Sequence, residues 1–479
     1  MDDSAKRVEA VIDDVRAVDL GDSRLNFRAR QIVSSLAMKP AESFPKALAT
    51  EAELEGFYRF LGNEKVRPEA ILAPHVAATI ERAGEHRTVL AVHDSTEFEF
   101  HGAGRADLGV VNRDGNKLFA HFCLVVSADG RRDPLGMLRT QTWVRDGQPT
   151  RSSLRKRGAK QSEIDELPSE YARWQRGIDE AEERVKGSAS LIHVLDSEAD
   201  DYSIVSKFQA AKRRFVLRSC RVRKLDETGS GSLPGEKLRE FMARAQVRAK
   251  RVVELSRRKK HPRGVRTKRG EARDERTAVL VFSAATIAIC KSERAPKELA
   301  DTATVNVISV REENAPDDMV PVDWTLFTSE PIQTEEQILA IVDWYRARWT
   351  IEEYNKALKT GCAFEKRQLE SKSAIDKALA LFTPVAWALL RMRTASRSSE
   401  KTSILTVLSP TQIIILRNQT KISLRTNSSA AEAYTAIARL GGHIKNNGAP
   451  GWQVIGRGYT ELLTLEVGYK IAKGESCDR

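Results

Sequence analysis

Cysteine is scarce in this chain of 479 residues: there are five, at Cys123, Cys220, Cys290, Cys362 and Cys477. The count is odd and no pair has zinc-ligand spacing, which argues against a disulfide framework and against a structural zinc site. No apolar run is long enough to cross a membrane, so none is expected to do so. The opening MDDSAKRVEA is acidic and lacks the apolar core of a secretion signal. Internal repeats and low-complexity tracts are also missing. A cytoplasmic protein is expected.

The chain is longer than one hydrophobic core normally serves, so two to four domains are expected. Hydrophobic residues make up 41%, and 78 Lys and Arg stand against 66 Asp and Glu, a formal net charge of +12. The surplus is clustered. Arg257–Arg276, RRKKHPRGVRTKRGEARDER, holds many cations and three acids. Neutralising a phosphate backbone is one use of such a run, and a solubilising loop is the other.

The apolar spacing divides the chain. Val8–Val18, Arg24–Ala37 and Glu51–Leu61 have helical repeats, and Asp22 or Ser23 can cap the second. Arg24, Arg28 and Arg59 lie on these helices, as they would in a DNA-binding head or in a plain helical bundle. Beyond Arg87 the pattern becomes that of a sheet. Thr88–Val92 is a buried-looking strand ending in His93-Asp94-Ser95-Thr96. Lys117–Val126 and Leu135–Val144 read as consecutive antiparallel strands around Asp129-Gly130. Gln161–Lys186 reads as a charged helix. Ser190–Leu195 is another buried strand, ending in Asp196-Ser197-Glu198-Ala199-Asp200. A helix over Tyr202–Ala211 and a strand over Arg214–Arg218 follow. From Lys224 to Pro321 the signal is mostly β, with the basic run inside it. Trp324–Thr328 resumes the sheet. Thr334-Glu335-Glu336-Gln337 offers a capping box opening a long helix. Ile375–Arg393 is a core-like helix, and helices near Ala430–Leu440 and Tyr459–Lys473 flank a stop at Gly441-Gly442.

The long helix carries Tyr345, Arg348, Glu352, Lys356 and Lys359 at steps of three and four, on one face. Such a row suits a solvated face with Glu–Lys pairs, or a face that meets phosphates and holds a metal ion. Asp94 and Asp196 each follow a buried strand, where α/β sheets build their sites. Two aspartates and Glu352 could hold two divalent ions, one activating the attacking oxygen and one stabilising the leaving oxygen of a phosphodiester. Oxygen ligands suit Mg²⁺. Three acids without cations would repel one another, so such a site needs its metal. Glu97, Glu198, Asp200, Asp201 and Glu353 are acids close in sequence that could be mistaken for ligands. Glu353 points about 100° away from Glu352 around the helix.

At these residues the sequence resembles the bacterial cut-and-paste DDE transposases with the tyrosine–arginine–glutamate–lysine (YREK) signature, the insertion-sequence group of transposon Five. The signature reads Tyr345, Arg348, Glu352 and Lys359, within Tyr-Arg-Ala-Arg-Trp-Thr-Ile-Glu-Glu. Asp94-Ser95-Thr96, Asp196–Asp200, Leu20-Gly21-Asp22, Tyr58-Arg59-Phe60, Trp324 with Thr328-Ser329-Glu330-Pro331, and Ala436–Gly442 also resemble that family.

The resemblance implies an α/β chain in five parts. An N-terminal helical DNA-binding domain (1–67) leads into an RNase H-like catalytic core (68–222 and 323–395). The core is interrupted by a β-rich basic insertion (223–322) and followed by a C-terminal helical dimerisation domain (396–479). It implies Asp94, Asp196 and Glu352 as ligands of two Mg²⁺ ions, replaceable by Mn²⁺. It further implies nicking of an element's end, hairpin formation and opening, and strand transfer into target DNA, all within a synapsed homodimer. By similarity Tyr345 and Arg348 would hold a phosphate beside a flipped base, and Trp324 would stack on that base. Lys356, Lys359 and Arg218 would contact DNA near the site, and Arg28 and Arg59 would contact the end DNA, with Arg24 added on position. The expected location is the bacterial cytoplasm, on the nucleoid. Two competing readings are an RNase H-like metal-dependent nuclease that only hydrolyses, and a DNA-binding relative without catalysis.

Overall fold

The structure is a computed structural model that describes residues 11, 13–100, 107–110, 116–144, 154, 157–158, 171–226, 233, 235–256, 274–293, 295–316, 319–397, 403–444 and 449–474. Most of the cationic run, the Gly229–Ser232 turn and the first part of the expected charged helix lie outside the described residues.

The N-terminal region is helical, as its spacing predicts. Helix α1 (Ser23–Met38) is capped by Asp22, whose carboxylate accepts the Arg24 N–H. A short α2 (Phe44–Ala47) leads to α3 (Glu51–Gly62), which opens with a Thr50/Glu53 capping box. Ile32, Val33, Leu36, Phe44 and Phe57 are buried between them. Helix α4 (Pro68–Gly84) joins this unit to the sheet. Its His75 Nδ1 lies 2.6 Å from Asp14 Oδ2, and Arg82 donates to both oxygens of the same carboxylate at 2.9 and 3.0 Å.

Ten strands form one sheet: β1 (Thr88–Phe100), β2 (Gly109–Val110), β3 (Asn116–Ser127), β4 (Pro134–Trp143), β5 (Ser190–Leu195), β6 (Arg214–Ser219), β7 (Val247–Leu255), β8 (Arg276–Cys290), β9 (Thr302–Glu313) and β10 (Asp323–Thr328). The order is β2-β3-β1-β5-β6-β10-β9-β8-β7, with β4 also on β3. Three antiparallel strands, β4, β3 and β1, are followed by β5 and β6 parallel to β1. This is an RNase H-like core. The β-rich insertion contributes β7, β8 and β9, which extend that sheet because β9 pairs with β10 along Asp323–Thr328.

Strand alternation sends side chains to two faces. Val92, Val194, Val216 and Leu326 join the core under α8 (Glu335–Arg346), α9 (Trp349–Lys356) and α10 (Lys372–Arg397). Leu195, Leu217 and Phe327 face the other way, toward α5 (Tyr171–Val185), α6 (Tyr202–Ala210) and α7 (Leu238–Arg244).

One expectation is corrected here. Helix α10 is long and apolar enough, by composition, to cross a membrane. It is instead a core helix. Its Trp387 donates to Pro134 O at 2.8 Å, and its Lys377 donates to Leu61 O and Asn63 O at 2.7 and 2.9 Å. The C-terminal region is α11 (Pro410–Thr420), α12 (Ala430–Leu440) and α13 (Trp452–Ala472), the last beginning seven residues before the predicted Tyr459. Gly442, at φ +89, ends α12 as predicted, and a Cβ on Gly458 would sit 1.8 Å from Ile437 O. Helices α12 and α13 therefore cross with their backbones in contact.

Behind β1 runs a chain of buried hydrogen bonds. Ser95 Oγ lies 3.1 Å from His121 Nδ1, His121 Nε2 3.4 Å from His93 Nδ1, His93 Nε2 3.0 Å from His193 Nδ1, and His193 Nε2 3.0 Å from Glu182 Oε1. The carboxylate can only accept, so each neutral imidazole donates from Nε2 toward Glu182 and accepts at Nδ1. Burial holds all three imidazoles below their ordinary 6.5, His121 at about 3. In the unfolded chain they would take up protons below about pH 6.5. Stability is therefore lost as pH falls through that value, by up to about 1.4 kcal/mol per pH unit for each imidazole. Asp94, with a raised pKa, opposes this with one proton. Thermal melts are expected to fall steadily from about pH 7.5 to about pH 5; a constant melting temperature would contradict the neutral chain.

Candidate active site

The three acids come to one face of the sheet. Asp196 follows β5 directly and caps a short 3-10 turn, accepting the Glu198 N–H at 2.8 Å. Asp94 differs from its prediction: it lies within β1, not at its end. Its pairing with β3 runs on to Phe100, whereas the parallel pairing with β5 ends at Val92↔Val194. Extending that register by two residues sets Asp94 beside Asp196 just where β5 stops. The sequence pattern hid this because the apolar run ends at Val92 while the hydrogen-bonded strand does not.

Glu352 arrives from above on α9. The predicted single long helix is in fact two. Helix α8 opens with the expected Thr334/Gln337 capping box and closes at Arg346, where the Ala347 N–H faces the carbonyls of Asp343, Trp344 and Tyr345. Helix α9 follows, and Ala357–Gly361 forms a π-helical turn. Such turns often mark functional segments. Because of the break, the predicted row is no longer a single stripe. Tyr345 is 3% exposed and Arg348 9%, so this part of the row faces the protein rather than solvent.

The charges explain the arrangement. Burial, then Asp196, with further help from Glu352 and Glu198, pushes the Asp94 carboxyl up to about 7, against an opposing pull from Arg348. Arg348 forms an ion pair with Glu352. Burial works against the Arg348 charge, but Glu352, Tyr345 and Asp94 outweigh it and hold its pKa up. Tyr345 is raised mainly by burial, against the pull of the Arg218 and Arg348 cations beside it. The Arg218 guanidinium also lies 5.6 Å from the centre of the Trp324 ring, which packs edge-on to Tyr345 at 5.7 Å. Trp324, Arg218, Tyr345, Arg348 and the three acids therefore form one neighbourhood.

The lysines separate. Lys359 reaches Glu97 O and Glu365, at the far end of β1. Lys356 pairs with Glu353 at 2.9 Å. Glu353 faces away from the acids, accepting Trp452 Nε1 at 3.2 Å and lying 3.2 Å from Arg393 Nε. Lys356 is therefore not brought to the cluster. Asp200 is also used elsewhere: it is buried and accepts the N–H groups of Cys220 and Arg221 at 2.7 and 2.8 Å, fixing the chain after β6.

Two residues escaped the sequence reading. Asn355 Nδ2 donates to Asp94 Oδ2 at 3.0 Å. Its spacing from Glu352, three residues along a helix, was a usable signal, but an uncharged amide did not stand out in a row chosen for charge. Trp349, 54% exposed beside Arg348, was read only as a letter in the signature string.

Among the described residues no group of three His, Cys, Asp or Glu is placed so that it could hold a metal ion as it stands. Each acid instead has a local partner: Asn355 for Asp94, the Glu198 N–H for Asp196, and Arg348 for Glu352. The donor set nevertheless suits a hard divalent cation. All three are carboxylates, Asp196 and Glu352 help to raise the Asp94 pKa, and a cation would relieve that repulsion. Glu352 would have to turn from Arg348 to take part.

In the N-terminal region, Arg24 and Arg59 have exposed side chains with only local partners, Asp22 at 3.1 Å and Glu55 at 3.5 Å. The Arg28 guanidinium lies over Gly56, where a Cβ would approach it to 2.8 Å. The rings of Phe27 and Tyr58 stand out of the same helices, 54% and 45% exposed. These helices therefore expose both arginines and aromatic rings.

Residues 8–66 match the family model described as Transposase DNA-binding, and residues 196–383 match the one described as Transposase DDE domain. The sheet, the gathered acids and these two matches define a DNA-acting polynucleotidyl transferase. The chain belongs to the DDE transposases: it is a DNA transposase with DNA as its partner. The second match begins at Asp196, so Asp94 lies in neither and rests on its place in the sheet.

Asp196→Asn is expected to lower the Asp94 midpoint from about 7, with burial keeping it above the ordinary 3.8. Carboxyl-carbon NMR titration of the metal-free protein reads this. An unmoved midpoint would assign the shift to burial alone.

Proposed function

We propose that this transposase works by cut-and-paste, moving an insertion sequence through two-metal phosphoryl transfer with Mg²⁺, or Mn²⁺ in its place. The observation carrying the reading is the convergence of Asp94, Asp196 and Glu352 on one sheet face, with the Asp94 carboxyl pushed up to about 7 by burial and its acidic neighbours. These three residues would hold the metal. When bound, it would activate the attacking oxygen and stabilise the leaving one.

The remaining residues position DNA. Arg348, released from Glu352, is free to meet a phosphate oxygen, and Tyr345 and Arg218 lie beside it. Trp324 offers a ring to a base turned out of the duplex, since a stacked aromatic recovers part of the unstacking cost. Trp349, open at the start of α9, is a second ring within reach of Arg348. Lys359 and the more distant Lys356 would contact the backbone outside the site. Arg24, Arg28 and Arg59 would grip the element's end through the N-terminal domain. The order of steps is nicking, hairpin formation, hairpin opening and joining of the freed 3′-hydroxyl to target DNA. The C-terminal helices, clamped by their close crossing, are assigned to pairing two copies, with domain limits at 67, 222, 322 and 395. The site of action is the bacterial cytoplasm.

Glu352→Ala is expected to abolish strand cleavage while leaving end-DNA binding near the wild-type level, read by gel shift and cleavage on labelled end DNA. Metal-dependent cleavage by that variant would remove Glu352 from the site. Trp324→Ala is expected to slow hairpin formation more than first-strand nicking; equal slowing would make the ring purely structural. Joining of a 3′-hydroxyl end to a plasmid separates this reading from a nuclease that only hydrolyses.

A further inference from the structure

Asn355 stands one helical turn beyond Glu352, on the part of α9 that faces β1. Its Nδ2 donates to Asp94 Oδ2 at 3.0 Å. Its Oδ1 is buried and has no hydrogen-bond partner, and the residue as a whole is only 9% exposed. Buried amide oxygens are rarely left unpaired, and an orphan beside a reactive cluster asks for a ligand. The neighbouring Arg348 Nε is a buried orphan as well. The site therefore presents one unpaired acceptor and one unpaired donor next to its carboxylates. An attacking hydroxyl needs an acceptor, and a phosphate oxygen needs a donor.

We propose that Asn355 is a further residue of the transfer reaction: Nδ2 fixes the orientation of Asp94, and Oδ1 accepts a hydrogen bond from the O–H of the attacking water or 3′-hydroxyl. This rests on the function proposed above. The amide takes no proton at Oδ1; it orients the nucleophile while the proton leaves by another route. A neutral side chain suits this place, because a fourth carboxylate would add to the repulsion around Asp94.

The experiment uses the full chain with Asn355→Leu, Asn355→Asp and Glu352→Ala. It reads Mn²⁺ binding by electron paramagnetic resonance, nicking of end DNA, and thermal melting. Asn355→Leu, similar in size but apolar, is expected to slow nicking by roughly 100-fold through loss of orientation while keeping the fold. Asn355→Asp keeps the acceptor and loses the donor. It is expected to bind Mn²⁺ more tightly than wild type and, once Mn²⁺ saturates it, to nick faster than Asn355→Leu, a response that a packing role would not produce. Wild-type nicking by Asn355→Leu would overturn the proposal. So would absence of nicking by Asn355→Asp with Mn²⁺ saturating, which decides the matter even if the leucine variant does not fold. Should Glu352→Ala keep both Mn²⁺ binding and nicking, the underlying functional reading fails instead.

Discussion

Mutual repulsion among Asp94, Asp196 and Glu352 is the constraint around which the catalytic half of this protein is arranged. Burial first, and then the neighbouring acids Asp196 and Glu352, push the Asp94 carboxyl up to about 7. Arg348 offsets part of the acids' repulsion by pairing with Glu352, and Asn355 and the Glu198 N–H hold the other two. Under the proposed function the same guanidinium would stand in for a cation and, once freed, would donate to phosphate, linking the filling of the site to the grip on DNA.

The scaffold makes that crowding possible. Asp94 and Asp196 are held by adjacent parallel strands whose register is fixed below them by Val92↔Val194. The buried imidazole chain joins β1 to β5 on the opposite face through His93 and His193. Helix α9 is held from behind, since Glu353, one residue past Glu352, is tied to Arg393 and to Trp452 at the start of α13. The C-terminal helices therefore touch the segment that carries the glutamate, and whatever moves them acts on the site.

Much of this was legible in the sequence, for physical reasons. Ser190–Leu195 and Trp324–Thr328 are short apolar runs between turn residues, and both are strands, the second beginning one residue earlier at Asp323. Asp22 and Thr334 cap helices because short polar side chains before an apolar repeat have few other uses. Other features were not legible. Asp94 was placed at a strand end because the apolar run stops at Val92, while the β3 ladder that continues the strand is a long-range contact. The break after Arg346 leaves no mark, as Ala347 and Arg348 are ordinary helix formers. Lys356 kept its helical spacing from Glu352, yet its ammonium follows Glu353, and spacing alone cannot choose between two neighbouring acids. Asn355 was passed over because its role depends on a partner 261 positions away. The insertion read as a separate β unit because its edge against β10 is not visible in composition.

The most direct measurement is anomalous diffraction from crystals of the protein bound to end DNA and Mn²⁺. Manganese is expected between Asp94, Asp196 and Glu352, with Arg348 turned from Glu352 to a phosphate. Manganese bound elsewhere, or an Arg348–Glu352 pair still closed in a complex that cleaves its DNA, would contradict this.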